Sequence, residues 1–490
     1  MSLRNNIIAN YISQIYTTAA GILIVPLYIK YMGAEEYGLV GFFAMLQVWF
    51  NLLDMGLTPT MSRESARFYG GAITVLEYRR LARALEGLFL LIALAGGLLL
   101  FALAAPIAAH WLNTQYLPID ETIVSLRLMA LIVALRWMSG FYRGVITGSE
   151  RLIWLSGMNI AVATGRFVLV LPLLIYVSTS IRAFFLFQLL VAIFELGGLA
   201  MKGYDILPEL PVGKKIDWKW APVKPMLKFS TTIAITSSIW VLVTQTDKLV
   251  LSRILPLADY GYFTIAVLLA SGIMIISGPI TSALMPRIAR LQAEGEDANL
   301  IALYRQATRM VTVVAIPAAL VLVFFSNQIL WAWTGNNDLV AKAGMITKLY
   351  AIGYGFLALG AFPYYLQYAK GDLKLHLIGN ILFVIILMPS VIWASNRYGM
   401  SGAGWAWLIL NVIYFLTWVP LVHYRFAPGL HRAWLLTDIF RIALPALLFS
   451  ILVNYLIDWS YQRLTLMFEL MIFGGSLVFL CLVFRYRGRR

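Results

Sequence analysis

The feature that most constrains the fold of this chain is a series of about fourteen apolar stretches, each roughly 18–25 residues long. A helix rises 1.5 Å per residue, so a stretch of this length can just cross the hydrocarbon core of a bilayer. Of the 490 residues, 61% are hydrophobic and only 12% are charged, and a water-soluble chain of this size could not bury so much apolar surface. The sequence therefore predicts an all-α polytopic membrane protein. The predicted spans cover approximately 7–30, 39–61, 87–109, 122–145, 152–177, 181–201, 230–252, 260–285, 309–329, 343–368, 375–394, 401–423, 437–457 and 464–484.

The net charge of +15 is distributed in a way that indicates membrane topology and not nucleic-acid binding. With a cytoplasmic N-terminus, the inside segments hold about 26 of the 38 Lys and Arg residues, and the outside segments hold about seven. The positive-inside rule then predicts that both termini are cytoplasmic. The first span contains Asn10 and Gln14 and lacks a small-residue cleavage site, so we expect a retained helix and not a signal peptide.

A short motif near the start of the chain reappears near its middle. Glu36-Tyr37-Gly38 is followed thirty residues after its tyrosine by Arg67, and Asp259-Tyr260-Gly261 is followed at the same distance by Arg290. About one membrane-spanning length of apolar sequence lies between the landmarks in each copy. This pattern indicates an internal duplication, as is found in transporters whose two similar halves open alternately to either side.

The predicted domain organisation follows from this duplication and from one long polar break. Spans 1–6 form an N-terminal lobe over 1–201, and a Lys- and Pro-rich cytoplasmic connector covers 202–229. Spans 7–12 form a second lobe over 230–423, which we expect to be related to the first by a pseudo-two-fold axis along the membrane normal. Two additional helices and a basic cytoplasmic tail occupy 424–490.

Enzyme signatures are missing from the sequence. It contains no Gly-rich phosphate loop followed by Lys, no HExxH, no nucleophile elbow and no CxxC pair. The single cysteine, Cys481, excludes an internal disulfide and a cysteine-built metal site. We therefore predict a protein that is not an enzyme and that needs no cofactor, no metal and no nucleic acid.

Arginines within the spans are the strongest candidates for a functional site. A charge near the centre of a bilayer costs roughly 2.5–3.5 kcal/mol on insertion scales, so it normally faces a water-filled cavity or a partner. Arg136 and Arg166 lie near the middle of spans 4 and 5, which favours a cationic cavity over a structural ion pair. Arg127 and Arg143 lie within reach of an interface, which favours snorkelling or an ion pair over a place in the cavity.

The second lobe offers one basic candidate, and the spans contain a few carboxylates. Lys248 is a candidate for the second lobe's part of an anion site. Asp54, Asp247 and Glu195 could each carry a coupling proton or sodium ion, or neutralise a neighbouring arginine. The balance of charge within the membrane favours an anionic cargo, most simply a phosphate or diphosphate head group, because an arginine fork binds phosphate oxygens in pairs.

Several short motifs recur in a characteristic order along the chain. They are Tyr31-Met32-Gly33 with Glu36-Tyr37-Gly38, Asp54-Met55-Gly56-Leu57 with Arg63 and Ala66, Arg143-Gly144 with Gly148-Ser149-Glu150-Arg151, Thr246-Asp247-Lys248-Leu249-Val250-Leu251-Ser252 with Asp259-Tyr260-Gly261, and Trp333-Thr334-Gly335. Together these motifs resemble the polysaccharide transporter family, the O-antigen-type flippases of lipid-linked oligosaccharides within the multidrug/oligosaccharidyl-lipid/polysaccharide exporter superfamily. Fourteen spans, where twelve would suffice for two lobes, are similar to the lipid II flippase branch of that superfamily.

This resemblance implies a flippase with a cation-rich cavity between two six-helix lobes, acting by alternating access in the bacterial inner membrane. The implied cargo is an undecaprenyl-diphosphate-linked oligosaccharide, an O-antigen or exopolysaccharide repeat unit. Membrane lipid, a coupling ion (H⁺ or Na⁺) and glycan polymerase or ligase machinery are the further expected partners. Two alternatives stay open from the residues alone: a multidrug cation antiporter of the same superfamily, and a membrane glycan polymerase or ligase.

Overall fold

The computed structural model describes residues 3–54, 56–209, 224–457, 459–460 and 462–486. Helices and the short turns between them account for nearly all of these residues, and one isolated β-bridge joins Asn113 to Pro256. The predicted all-α class is therefore confirmed. The chain forms two compact units, Met1–Gly261 and Tyr262–Arg490.

The first unit is built around a central helix, α6, against which α4, α5 and α9 pack. The α1 helix packs against α7, and α10 packs against α3. A 3-10 turn (Asn51–Asp54) follows α3, and π turns follow α5 (Ile107–Trp111) and α7 (Thr164–Val168). The helices of this unit are α1 (Leu3–Leu23), α2 (Val25–Met32), α3 (Ala34–Phe50), α4 (Leu57–Tyr69), α5 (Val75–Pro106), α6 (Ile119–Gly148), α7 (Leu152–Ala163), α8 (Val170–Tyr176), α9 (Ile181–Ile206), α10 (Lys224–Ile254) and the start of α11 (Leu257–Ala293).

In the second unit α12 is the helix against which α13, α17 and α18 pack. A buried apolar cluster that includes Phe325, Ile442 and Phe473 joins α12 to the last two helices. The predicted pair of additional C-terminal helices is thus closely packed against α12 along its length. The helices of this unit are the rest of α11, α12 (Asp297–Thr334), α13 (Asn337–Gly360), α14 (Phe362–Ala369), α15 (Lys374–Phe426), α16 (Leu430–Ala433), α17 (Arg441–Leu456) and α18 (Arg463–Tyr486), with a π turn (Trp434–Phe440) before α17.

Local sequence signals explain where several helices begin and end. Thr74 and Glu77 form a capping box at the start of α5, in which Glu77 N donates to Thr74 Oγ1 at 3.3 Å and Thr74 N donates to Glu77 Oε2 at 2.9 Å. The α12 helix ends at Thr334 and is followed by Gly335, whose φ of 66° lies in the left-handed region that glycine adopts without strain. The side chain of Asn336 then caps α13 by accepting a hydrogen bond from Leu339 N.

Twelve helical segments of the described chain are long and apolar enough to cross a membrane. One of them is the 53-residue α15, which is interrupted at Gly399, where φ is 58° and ψ is −140°. The protein is therefore a multi-pass membrane protein, and the count of fourteen spans stays a prediction.

The second predicted span, 39–61, is not a continuous helix. The α3 helix ends at Phe50, and Gly56 adopts a left-handed conformation with φ of 73° before α4 begins. Asp54 stabilises this break because its Oδ1 accepts hydrogen bonds from the backbone N and the hydroxyl of Thr58. Apolar content extended across the break, so hydrophobicity alone did not reveal it.

The predicted lobes over 1–201 and 230–423 stay a prediction, as does the axis relating them. Much of the predicted connector, residues 210–223, lies outside the described residues, as does the end of the basic tail, residues 487–490. Of the connector, the described parts are the end of α9, residues 207–209 and the beginning of α10.

The two copies of the Tyr-Gly motif lie against each other within the first unit. A Cβ atom on Gly261 would lie 2.8 Å from the carbonyl oxygen of Ala34, and one on Gly38 would overlap the carbonyl oxygen of Leu257. The starts of α3 and α11 therefore touch through backbone atoms, which only glycine at these two positions permits.

Candidate functional site

A buried glutamate lies between two arginines inside the first unit. Glu195 on α9 is 5% exposed, and its Oε1 accepts a hydrogen bond of 2.7 Å from Arg143 Nη2. Arg136 Nε lies 3.7 Å from Glu195 Oε2. Both arginines are on α6, seven residues apart and hence on one face of the helix. At a membrane-embedded position with a low dielectric, this arrangement compensates the carboxylate for its loss of hydration.

Three amide side chains accept further hydrogen bonds from these two guanidinium groups. Arg136 Nη1 donates to Gln47 Oε1 on α3 at 2.7 Å, and its Nη2 donates to Gln188 Oε1 on α9 at 3.4 Å. Arg143 Nη1 donates to Asn159 Oδ1 on α7 at 2.6 Å. The neutral amides orient the arginines without cancelling their charge.

Arg166 is positioned by the π turn Thr164–Val168. Such a turn holds one more residue than an α-helical turn and frees backbone groups, and it occurs frequently at functional sites. Here the Arg166 carbonyl oxygen accepts hydrogen bonds from Tyr28 Oη at 3.0 Å and from Gln188 Nε2 at 2.8 Å. Gln188 therefore contacts both Arg136 and the backbone of Arg166, and links the two.

A polar pocket of about 480 Å³ lies beside this cluster. Arg143, Arg166 and Glu195 line it, together with Asn159. Arg136 is not a lining residue and lies behind Glu195. The α1 helix supplies the opposite wall with five polar side chains, namely Asn10, Ser13, Gln14, Thr17 and Thr18.

The charge of this arginine cluster, defined as Arg136, Arg143, Arg166 and Glu195, is positive. Arginine does not deprotonate in proteins, so three guanidinium groups and one carboxylate give a net charge of two positive units, three minus one. Among the described residues, the Nε atoms of Arg136 and Arg166 and Oε2 of Glu195 are buried without a hydrogen-bond partner. A buried N–H group without a partner costs about 1–3 kcal/mol, so Nε of Arg166, which lines the pocket, favours the approach of an acceptor such as a phosphate oxygen. Nε of Arg136 faces Glu195 Oε2 at 3.7 Å.

The structure brings four of the eight predicted site residues together and places the others elsewhere. Arg127 is exposed, with its guanidinium 5.2 Å from the centre of the Phe101 ring. Lys248 Nζ donates to Thr244 O and Gln245 Oε1 of its own helix. Asp247 Oδ1 accepts from Lys248 N, and Asp54 caps α4. None of these four residues lines the polar pocket.

The sequence-based prediction missed the amide residues that accept hydrogen bonds from the arginines. Gln47, Gln188 and Asn159 are uncharged and lie on separate helices, so no pattern in the sequence groups them. The wall from α1 did carry a signal, because Asn10, Gln14 and Thr17 recur at spacings of four and three residues on one face of an apolar helix.

A sequence model of a known family, described as polysaccharide biosynthesis protein, matches residues 3–292. The match covers more than half of the 490 residues. The chain belongs to the polysaccharide biosynthesis protein family. The matched range contains the whole arginine cluster and all of α1, and the predicted resemblance is confirmed.

One relative and two solved structures are also similar to this chain. A Shigella flexneri protein named "Putative O-antigen transporter" is 16% identical over 413 residues, which are 84% of this chain and 96% of the relative. The structure of lipid II flippase MurJ in an inward closed conformation matches with a TM-score of 0.75 at 15% identity and covers 99% of both chains. An inward-facing multidrug resistance MATE family transporter of the MOP superfamily matches with a TM-score of 0.67 at 14% identity, over 85% of this chain and 94% of that one. This polysaccharide biosynthesis family member therefore has the helical fold of MurJ and MATE transporters.

Proposed function

We propose that this protein is a flippase that moves a lipid-linked oligosaccharide across the bacterial inner membrane by alternating access. The cargo is an undecaprenyl-diphosphate-linked repeat unit of O-antigen or exopolysaccharide. The observation that carries this proposal is the arginine cluster beside an open polar pocket in a membrane-embedded helical bundle. Family membership and the name of the Shigella flexneri relative support the same class of cargo.

The sign and size of the charge favour a diphosphate. Two surplus positive charges match the charge of a diphosphate diester, and Arg166 presents a guanidinium fork that can bind two oxygens at once. A multidrug antiporter that carries cations would need carboxylates to outnumber arginines in its pocket. Here arginines outnumber carboxylates three to one among the cluster residues.

The polar pocket needs to accommodate only the polar part of the cargo. A lipid tail can stay in the bilayer, so only the sugar and the phosphates need a polar path, and the barrier falls roughly to the desolvation of the head group. The polar wall of α1 supplies hydroxyl and amide groups that suit sugar hydroxyls. Glu195 acts as the charge partner that keeps Arg136 and Arg143 in place, and a proton or sodium gradient drives the cycle through another group.

Neutralising two arginines tests the proposal. In a strain that depends on this protein for surface glycan, we expect Arg136→Gln with Arg166→Gln to lower glycan export roughly 100-fold or more, since each lost charge-assisted hydrogen bond is worth about 1.5–3 kcal/mol. Lipid-linked units should accumulate on the cytoplasmic leaflet while the amount of protein in the membrane stays normal. The matched control is Arg182→Gln with Arg397→Gln, two exposed arginines outside the cluster.

The same assay separates the alternatives. Normal surface glycan in the cluster variant would contradict the cationic pocket. Single repeat units that reach the surface without being polymerised would favour a polymerase or ligase, and a drug-sensitive deletion strain with normal glycan would favour a cation antiporter. Arg127→Gln, measured in parallel, tests whether that exposed arginine takes part in transport.

A further inference from the structure

A second cavity lies on the first unit, between α5 and α9. Both helices pack against α6 and leave between them a groove of about 690 Å³, which we name the α5–α9 groove. Its floor is formed by Leu135, Met138 and Tyr142 of α6. It shares no lining residue, among those described, with the polar pocket. Tyr142 and Leu196 line the groove, whereas their neighbours Arg143 and Glu195 line the pocket, so the two cavities lie against different faces of α6 and α9.

The groove is polar at one end only. Its polar lining residues are Arg79, Arg83 and Glu86 near the start of α5, with Tyr142 and Tyr204. The Glu86 carboxylate accepts hydrogen bonds from Tyr142 Oη at 2.6 Å and from Tyr204 Oη at 2.5 Å. The positive-inside rule predicts that this end is at the cytoplasmic surface.

The other end of the groove is apolar and continues as an exposed track along both helices. Leu90 and Ile193 line the groove and are 49% and 52% exposed. Leu94 and Leu98 extend this face on α5, and Leu190 extends it on α9. Gly197 widens the groove, because a Cβ atom there would meet nothing within 4 Å. A lining with a charged end and an apolar end fits an amphiphile.

We infer that the α5–α9 groove binds an anionic glycerophospholipid of the bilayer, with its phosphodiester at Arg79 and Arg83 and an acyl chain along the apolar track. Two arginines and one glutamate give the groove a net charge of plus one, which matches the single negative charge of a phosphodiester better than a diphosphate. Basic pockets between membrane helices at the cytoplasmic surface bind such head groups. Within the described chain, Arg79 Nε is buried without a hydrogen-bond partner, and it is the donor that the phosphate would engage.

This site gives the bilayer a means of acting on transport. A lipid in the groove would contact α6 and α9, the two helices that carry Arg136, Arg143 and Glu195 of the arginine cluster. Binding there would stabilise one relative position of these helices and so alter the polar pocket without entering it.

Lipid binding to the purified full-length protein tests the inference. Native mass spectrometry would compare dioleoylphosphatidylglycerol with dioleoylphosphatidylcholine, which differ in head-group charge. We expect the protein to bind the anionic lipid roughly tenfold or more tightly, and Arg79→Gln with Arg83→Gln to abolish this preference. The matched control is Arg67→Gln with Arg151→Gln, two exposed arginines of the same predicted surface that do not line the groove.

A second pair of variants tests the apolar part. Gly197→Leu fills the groove and should weaken binding of the anionic lipid roughly tenfold, whereas Gly157→Leu, another glycine with open space around it, should not. The inference is overturned if the control pair loses the preference as strongly as the groove pair, or if Gly197→Leu binds lipid normally. It is also overturned if geranylgeranyl diphosphate displaces phosphatidylglycerol at equal concentration, because the groove would then prefer the isoprenoid diphosphate.

Discussion

Glu195 is the residue on which the order of the arginine cluster depends. Its two carboxylate oxygens face two different arginines, Arg143 at 2.7 Å and Arg136 at 3.7 Å. Without this carboxylate, three guanidinium groups would share a buried space with amide partners only. Removing one partner of a buried ion pair leaves a charge that is neither hydrated nor compensated.

We therefore expect Glu195→Gln to destabilise the protein by about 3–5 kcal/mol. The measurement is the temperature at which half of the monodisperse protein is lost on size exclusion after heating. Glu294→Gln, which removes an exposed partner of Arg290, should leave this temperature unchanged. Adding Arg143→Gln to Glu195→Gln should restore part of the loss. If Glu195→Gln and Glu294→Gln lose half of the monodisperse protein at the same temperature, the contacts of Glu195 with Arg136 and Arg143 contribute no net stability.

The sequence could predict which arginines lie deep in the membrane, but not which of them share a cavity. Depth follows from position along a span, and it identified Arg136 and Arg166. Arg143, for which snorkelling or an ion pair is the favoured prediction, pairs with Glu195 and also lines the pocket. Arg136, for which the cavity is favoured over an ion pair, lies 3.7 Å from Glu195 and does not line the pocket. The rotation of α6 against α7 and α9 decides this, and it depends on packing that no single helix encodes. The π turn that positions Arg166 has no sequence signature comparable to a proline or a cap.

Among the elements, the contact between α3 and α11 depends on two glycines of the repeated motif. The sequence identified Gly38 and Gly261 as matching positions, and the structure brings them into direct contact. The repeated spacing could not have predicted this contact, since it carries information about ancestry and not about packing.

Gly38→Ala should therefore be strongly destabilising. The added Cβ would overlap the Leu257 carbonyl oxygen, a backbone atom that cannot move without shifting α11, and such overpacking costs about 1–3 kcal/mol or more. Gly157→Ala is the matched control, because its Cβ would meet nothing within 4 Å and alanine favours the helix by about 1 kcal/mol. Thermal unfolding of the two variants should shift in opposite directions, and a Gly38→Ala protein as stable as the wild type would contradict the close packing.

The last two helices are attached to α12 at both of its ends. At one end the fully buried Asp438 accepts a hydrogen bond of 2.7 Å from Arg305 Nε and lies 3.6 Å from Arg309 Nη1. At the other end Arg463 donates to the carbonyl oxygens of Ala332 and Trp333, which close α12. This double attachment explains why α17 and α18 pack as part of the second unit.

Asp438→Asn should loosen this attachment, and the single cysteine provides a reporter. Cys481 is fully buried on α18, so a membrane-permeant maleimide reaches it only when the helices separate from α12. We expect the rate of labelling to rise roughly tenfold or more, because the variant leaves two arginines without their carboxylate. Asp372→Asn, which weakens a more exposed pair with Arg425, should leave the rate unchanged. Unchanged labelling in both variants would place the strength of the attachment in the apolar cluster alone.

The observed helices extend beyond the apolar stretches from which the spans are predicted. The sequence predicts the third span over 87–109, but α5 begins at Val75, because the Thr74 capping box starts a helix in polar sequence that hydropathy does not detect. The all-α class followed directly from composition, since a bilayer leaves helices as the simplest way to satisfy every backbone group.

For the molecule as a whole, left-handed glycines mark the reversals of the chain in its second half. Gly295, Gly335, Gly371, Gly399 and Gly429 all have φ between 58° and 82°. Each lies at or near the end of a predicted span, so the five positions should alternate between the two sides of the membrane. The positive-inside rule assigns the cytoplasmic side to the first of them.

Accessibility of single cysteines tests this topology, including the number of spans. In a Cys481→Ala background, the substitutions Asn337→Cys and Asn396→Cys should react with an impermeant maleimide in intact cells. Ala298→Cys and Lys374→Cys should react only after permeabilisation. All four substituted positions are exposed in the structure, so failure to react reports sidedness and not burial.

Asn396 decides whether α15 crosses the membrane once or twice. It lies just before the reversal at Gly399 within the 53-residue α15, so labelling from outside requires that α15 crosses the membrane twice. Protection of Asn396→Cys together with Lys374→Cys would mean that both positions face the cytoplasm and that α15 does not span as two helices. A single crossing of α15 would move the C-terminus to the opposite side of the membrane, so a reporter fused to the tail gives an independent check of the same topology.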